Sequence, residues 1–176
     1  MKKIFILAVV ALLSTTAMTA QTTFGAKAGL NFSNLTGDDI SDLDGRTSFH
    51  LGLIAEIMFS EKFGIQPEVL YSAQGAKEGD ETLKLDYINI PVLLKYYVTN
   101  GLSIEAGPQV GFNVVAEAEG ADIEDVETDI GAGLGLGYTT PQGLFFQARY
   151  NFGFSEILQD VDAKNSVMQL SVGYRF

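Results

Sequence analysis

At 176 residues the chain is long enough for one domain with a real core and too short for two. Its 11 Lys and Arg against 22 Asp and Glu exclude a nucleic-acid binder or a protein held on an anionic membrane surface, because both need a basic face. The absence of cysteine excludes a disulfide framework, a thiolate metal site, a cysteine nucleophile and a lipid-modified N-terminal cysteine.

In chain order, Lys2 and Lys3 precede an apolar run over 4–13, and a polar, small-residue stretch over 14–20 follows. This is the order of a secretory signal peptide, with cleavage expected after Ala20 or, alternatively, after Ala17. The run is too short for a membrane-spanning helix, which needs about 20 apolar residues. The expected organisation is a signal peptide over 1–20 and one domain over 21–176.

From there the chain alternates with period two in eight segments, the mark of strands with two different faces. The first, 23–33, sets Phe24, Ala26, Ala28, Leu30 and Phe32 against Gly25, Lys27, Gly29, Asn31 and Ser33. The second, 48–59, sets Phe49, Leu51, Leu53, Ala55, Ile57 and Phe59 against His50, Gly52, Ile54, Glu56 and Met58. In the third, 63–74, Phe63, Ile65, Val69, Tyr71 and Ala73 oppose Gly64, Gln66, Glu68, Ser72 and Gln74. The fourth, 83–98, is apolar almost throughout; placing Asn89 and Lys95 inward turns Ile88, Ile90, Val92, Leu94, Tyr96 and Val98 outward.

The fifth, 102–115, opposes Ile104, Ala106, Val110, Phe112 and Val114 to Ser103, Glu105, Gly107, Gln109, Gly111 and Asn113. The sixth, 129–138, opposes Ile130, Ala132, Leu134, Leu136 and Tyr138 to Asp129 and the glycines 131, 133, 135 and 137. The seventh, 144–154, and the eighth, 166–176, continue in the same way, with Gln147, Arg149, Asn151, Gln169, Ser171 and Arg175 on the polar side. Connections after segments 2, 4 and 6 are tight, around 61–62, 99–101 and 139–143; those after segments 1, 3, 5 and 7 are expected to be longer and acidic.

The more polar face carries glycines and both charge signs, whereas the apolar face is expected to be free of charge from Phe24 to Phe176. A soluble ligand-carrying barrel reverses this polarity, with its apolar face inside. On a lipid-facing surface one charge costs about 2–4 kcal/mol at the bilayer midplane. Segments of about ten residues and aromatic residues toward the strand ends suit the same setting. The expected fold is all-β: an eight-stranded antiparallel up-and-down transmembrane β-barrel with short turns at one end and long loops at the other.

Inside such a barrel there is room only for side chains. Lys27, Glu56, Glu68, Lys95, Glu105, Arg149 and Arg175 are therefore expected to form a buried charge network that closes the lumen. With Asp129 added, the inward charges cancel. A catalytic carboxylate among Glu56, Glu68 and Glu105 is the competing reading, disfavoured by the balancing cations. The inward glycines of segment 6 read as space for long side chains rather than as a phosphate loop. The lone His50 has neither a second histidine nor a Ser partner, and is expected to pack at the outer rim.

Without Lys2 and Lys3 the chain has 9 basic and 22 acidic residues, net −13, expected to lie at the long-loop end. Asp38, Asp39, Asp42 and Asp44 gather in one loop, and Glu117, Glu119, Asp122, Glu124, Asp125 and Glu127 in another. Hard cations take such oxygen ligands, so Asp38, Asp39, Asp42, Asp44, Asp122, Glu124 and Asp125 are candidate weak cation-binding residues. The stretch from Asp42 to Gly45 is like part of a calcium loop, but Ile40 and Leu51 occupy ligand positions of that motif and exclude it. No dedicated metal site and no cofactor is expected.

Five stretches carry a family resemblance: Gly25-Ala26-Lys27-Ala28-Gly29-Leu30-Asn31; Leu85-Asp86-Tyr87-Ile88-Asn89-Ile90-Pro91-Val92-Leu93-Leu94-Lys95-Tyr96; Gly107-Pro108-Gln109; Arg149-Tyr150; and the terminal Gly173-Tyr174-Arg175-Phe176. On these the chain resembles the small outer-membrane β-barrel family, often labelled porin-family or OmpX-like and common in Bacteroidota. Asn89 departs from the pattern, which often has Glu there, and leaves the lumen one acid short. The resemblance implies an outer-membrane location, contact with outer-membrane lipid, and insertion by the outer-membrane assembly machinery reading Tyr174 and Phe176. It implies no enzymatic activity. The expected role is a monomeric barrel with a filled lumen that presents acidic extracellular loops to an unspecified ligand or supports the envelope; the alternative is a narrow channel for ions or small solutes.

Overall fold

The computed structural model describes residues 21–36, 44–78, 81–118, 121–122, 128–155 and 164–176. They form strands β1 (Gln21–Thr36), β2 (Asp44–Met58), β3 (Phe63–Glu78), β4 (Glu81–Tyr97), β5 (Leu102–Ala118), β6 (Asp129–Thr139), β7 (Leu144–Gly153) and β8 (Lys164–Arg175). Each strand pairs antiparallel with the next, and β1 pairs with β8 from Gly25↔Arg175 to Thr36↔Lys164. The sheet is thus a closed eight-stranded up-and-down barrel. Closure leaves no unpaired edge, the condition under which strands can cross a bilayer. A further two-residue strand, Ala121–Asp122, pairs back onto Glu117 and Ala118.

Burial follows the period-two pattern. Large apolar side chains stand exposed on the outside, Leu53 at 65% and Leu134 at 54% among them, while Lys27, Glu68, Glu105 and Arg149 are at most 4% exposed inside. This inverts a soluble protein and defines a lipid-facing wall around a polar core. On β4 the outward apolar run from Ile88 to Val98 covers roughly 25 Å of membrane at the usual strand rise and tilt. Asn89 and Lys95 are buried on the inner face of the same strand. Ala55 and Ile57 share the register of Phe24 and Thr22 but are themselves covered, at 7% and 3% exposure.

The short turns lie at one end. Val98 N–H donates to Leu102 O at 2.9 Å and Thr140 N–H to Leu144 O at 2.8 Å. Gly101 and Gly143 adopt φ of 102° and 91°, a region that a side chain would strain. Three prolines, Pro67, Pro91 and Pro108, sit on adjacent strands. Near them the ladder skips pairs without changing register, between Ile54↔Glu68 and Ile57↔Ile65 and between Pro91↔Gln109 and Leu94↔Ala106. Proline has no N–H to give to the ladder.

At the other end the strands run further than the alternation predicts. β3 continues to Glu78 and β4 begins at Glu81, with Glu78 paired to Glu81, so only residues 79–80 separate them instead of a long loop. The outward positions there are charged. Lys84 and Glu117, on neighbouring strands, lie 3.3 Å apart, and Asp86 accepts a hydrogen bond from Tyr71 and lies 4.0 Å from Arg46. The expectation of an uncharged outer face over the whole chain is therefore corrected. It holds along the apolar band and fails beyond it, where water replaces hydrocarbon and a charge costs little.

Candidate functional site: the lumen

Strand register decides which inward side chains meet. Lys95, Glu105, Gly135, Arg149, Gln169 and Asn31 stand side by side across β4, β5, β6, β7, β8 and β1. In an eight-strand ring β3 lies opposite β7, so Glu68 and Arg149 face each other across the lumen. Arg149 Nη1 and Nη2 donate to Glu68 Oε2 and Oε1 at 2.9 and 2.7 Å, and Lys27 Nζ lies 2.8 Å from Glu68 Oε2. A two-point guanidinium–carboxylate contact of this kind is among the stronger polar interactions in proteins.

From this centre the contacts continue without a break. Lys27 donates to Gln147 Oε1 at 3.0 Å, and Gln147 donates to Glu105 Oε2 at 2.7 Å. Lys95 Nζ bridges Glu105 Oε1 at 3.1 Å and Glu56 Oε1 at 3.2 Å, and donates to Gln66 Oε1 at 2.9 Å. Glu56 also accepts from Tyr97 and pairs with Arg175, which donates to Tyr97 Oη at 3.1 Å. All seven charged residues singled out from the sequence thus fall in one connected layer. The layer holds four cations and three carboxylates.

Asp129 is not part of it. Its Oδ2 accepts from Asn165 at 3.1 Å near the long-loop end. The charges that cancel by count are therefore divided in space. Glycine supplies the room the layer needs. A Cβ at Gly137 would lie 2.3 Å from Glu105 Oε1, and one at Gly133 would lie 3.1 Å from Arg149 Cδ. On the short-turn side a recess of ≈ 540 Å³ reaches Glu56, Tyr97 and Arg175.

His50 is fully buried in the lumen, which corrects its expected place at the rim. Its Nδ1 pairs with Asn31 Oδ1 at 2.7 Å and its Nε2 with Ser171 Oγ at 2.8 Å. Asn31 also accepts from Gln169 at 3.0 Å. β2 begins at Asp44, so position 50 stands well inside the strand rather than near its end. The neutral members Gln66, Tyr97 and Gln147 carried no charge to mark them in the sequence; their only signal was sharing inward parity with Glu68, Lys95 and Arg149.

Of the candidate cation-binding residues, Asp38, Asp39, Asp42, Glu124 and Asp125 lie outside the described residues. Asp44 opens β2, and Asp122 lies in the short return strand. Glu117, expected in a loop, is in β5. Among the described residues no three His, Cys, Asp or Glu side chains gather as a metal site. At the C-terminus, Tyr174 and Phe176 are exposed on the lipid-facing wall, and Phe176 N–H donates to Phe24 O at 2.9 Å.

A closed antiparallel barrel with an apolar outside and a charged inside is an outer-membrane architecture. Residues 19–159 match the outer membrane protein beta-barrel domain model, and the chain belongs to that family. It is a protein of the outer membrane. Among solved structures, it is similar to Ail, the attachment invasion locus protein of Yersinia pestis. The identity is 18%, the TM-score 0.60, and the match covers 89% of this chain and 99% of that one. Ail in complex with the heparin analogue sucrose octasulfate matches at 18% identity and TM-score 0.58, with the same coverage of both chains. Neisserial surface protein A matches at 15% identity and TM-score 0.64 over 89% of this chain and 99% of that one. At these identities the likeness is one of fold. No curated protein sequence matches the chain significantly.

Proposed function

We propose that this barrel is a monomeric, non-enzymatic surface protein whose lumen is closed by the charge layer and whose acidic extracellular segments meet the environment. The connected chain of contacts from Arg175 through Glu56, Lys95, Glu105 and Gln147 to Lys27, Glu68 and Arg149 carries the reading. Side chains from opposite walls meet at hydrogen-bonding distance, so a solute would have to break buried ion pairs to pass. Each such break is costly, because an unpaired buried charge costs about 3–5 kcal/mol.

The excess acid over base assigns the carboxylates of 38–44 and 122–127 to an exposed anionic surface. Such a surface suits cationic partners and disfavours polyanions of the kind bound to Ail. In this reading residues 1–20 are a cleaved signal peptide and the assembly machinery reads Tyr174 and Phe176.

A narrow channel is the second reading, favoured by the recess beneath Glu56 and Arg175. Planar-bilayer recording of purified, folded protein separates the two: a silent barrel is expected, and reproducible unitary conductance would replace the closed-lumen reading with the channel. Protease treatment of intact cells tests the topology, with cleavage expected within 119–127 and protection of the strands.

A further inference from the structure

The lumen beyond the charge layer has a different chemistry. Toward the long-loop end it is lined by Asn89, Gln109, Asp129, Asn151 and Asn165, each at most 5% exposed. In all five, one side-chain oxygen has no hydrogen-bond partner: Asn89 Oδ1, Gln109 Oε1, Asp129 Oδ1, Asn151 Oδ1 and Asn165 Oδ1. Buried polar atoms are nearly always satisfied, and an orphan is costly to bury. These five unpartnered acceptors share the region with two unpartnered donors, Tyr87 Oη and Asn89 Nδ2, so acceptors are in surplus there.

Register brings them together. Asn89, Gly111 and Asp129 form one row across β4, β5 and β6. Gln109, Gly131 and Gly153 form the next across β5 to β7, with Asn165 N 3.0 Å from where a Cβ on Gly153 would stand, and Asn151 with Gly133 lies one row below. Glycines occupy the wall between the oxygen-bearing residues. A Cβ at Gly111 would lie 2.5 Å from Asn89 Oδ1 and 3.3 Å from Asp129 Cβ, and one at Gly153 would lie 2.9 Å from Asp129 Oδ1. Asn165 thus touches the carboxylate of Asp129, Asn89 faces it across Gly111, and Asn151 Oδ1 lies over Gly133 one row below. Among the described residues no Lys, Arg or His is ion-paired with Asp129, and its partner Asn165 donates only to Oδ2.

One negative charge with a surplus of carbonyl-type oxygens is ligand chemistry for a hard cation. Ca²⁺ suits it better than Mg²⁺, because Ca²⁺ tolerates irregular sets of six to eight oxygens whereas Mg²⁺ demands a strict octahedron. We propose that the long-loop end of the lumen binds a single Ca²⁺ ion through Asp129 and the amide oxygens of Asn89, Gln109, Asn151 and Asn165. With a single carboxylate the affinity belongs to the weak class, with a Kd on the order of 1 mM. An ion seated there would cap the charge layer from outside.

The test uses the full mature barrel folded in detergent micelles, titrated with CaCl₂ by calorimetry, with thermal unfolding followed in parallel. Expected is saturable one-site binding and a Ca²⁺-dependent rise in unfolding temperature. Both should be weakened at least tenfold in Asp129→Asn and clearly reduced in Asn151→Leu, a variant that keeps the carboxylate. A variant carrying Glu124→Gln and Asp125→Asn should bind as before, which separates the lumen site from the acidic loop. Heat-modifiable gel mobility identifies folded protein, and Asn151→Leu carries the test if Asp129→Asn does not fold. Absence of saturable binding in the unmodified barrel overturns the proposal. So does binding that survives both lumen variants or disappears in the loop variant.

Discussion

Replacing Glu68 by Gln tests the charge layer at its centre. The change keeps the shape and removes the charge that faces Arg149 at 2.9 and 2.7 Å and Lys27 at 2.8 Å. The layer then holds four cations and two carboxylates. Stripping the partner from a buried ion pair costs about 3–5 kcal/mol. Arg149 retains Glu105 at 3.7 Å and Lys27 retains Gln147 at 3.0 Å, which places the expected loss at the low end, about 3 kcal/mol. With a urea slope of about 2 kcal/mol/M, the unfolding midpoint should fall by roughly 1.5 M. The assay is equilibrium urea unfolding of barrels reconstituted in thin lipid vesicles, followed by tyrosine fluorescence and gel mobility. A double variant, Glu68→Met with Arg149→Met, should recover much of the loss, because removing both charges removes the desolvation cost along with the attraction. A Glu68→Gln midpoint within about 0.3 M of the unmodified protein would refute the reasoning, since that shift is below 1 kcal/mol on the same slope.

Three further outcomes follow from other parts of the wall. Leu134→Arg, in the exposed apolar band, should cost about 2–4 kcal/mol in the same unfolding assay, whereas Lys84→Met, beyond the band, should stay within about 0.5 kcal/mol. Gly137→Ala should cost about 1–3 kcal/mol, because the new methyl group meets Glu105 Oε1 while Lys95 and Ser103 hold that carboxylate in place. Phe176→Ala should reduce the folded fraction recovered from cells several-fold, yet leave refolding of the purified chain into micelles nearly unchanged.

Much of the fold was legible because lipid imposes a simple rule on every second residue. Phe24 to Phe32, Ile130 to Tyr138 and Met168 to Phe176 obey it, and the wall could be read directly. The rule ends where hydrocarbon ends. Above Ile88 on β4 the outward positions become Asp86 and Lys84, the alternation disappears, and the ladder nevertheless continues to Glu81. The alternation therefore understates strand length on that side and places His50 too close to the rim. Within the lumen, parity told which side chains point inward. Which of them touch depends on the stagger of the closed sheet, a property of all eight strands at once. Glu68 and Arg149 are 81 residues apart with no local signal linking them. The separation of Asp129 from the other charges was hidden for the same reason.

The closed layer also bears on assembly. Its members come from β1, β2, β3, β4, β5, β7 and β8, and Lys27 and Arg175 lie on the two strands that form the seam. Until that seam is made, Arg175 is held away from Glu56 and Lys27 from Gln147, and the half-built wall carries bare charge on the side that is to be sealed. Completion of the ring and the pairing of Arg175 with Glu56 are therefore a single event. A chain that stalls before the seam forms remains wet inside, and this gives the finished barrel a sharp energetic distinction from every open precursor.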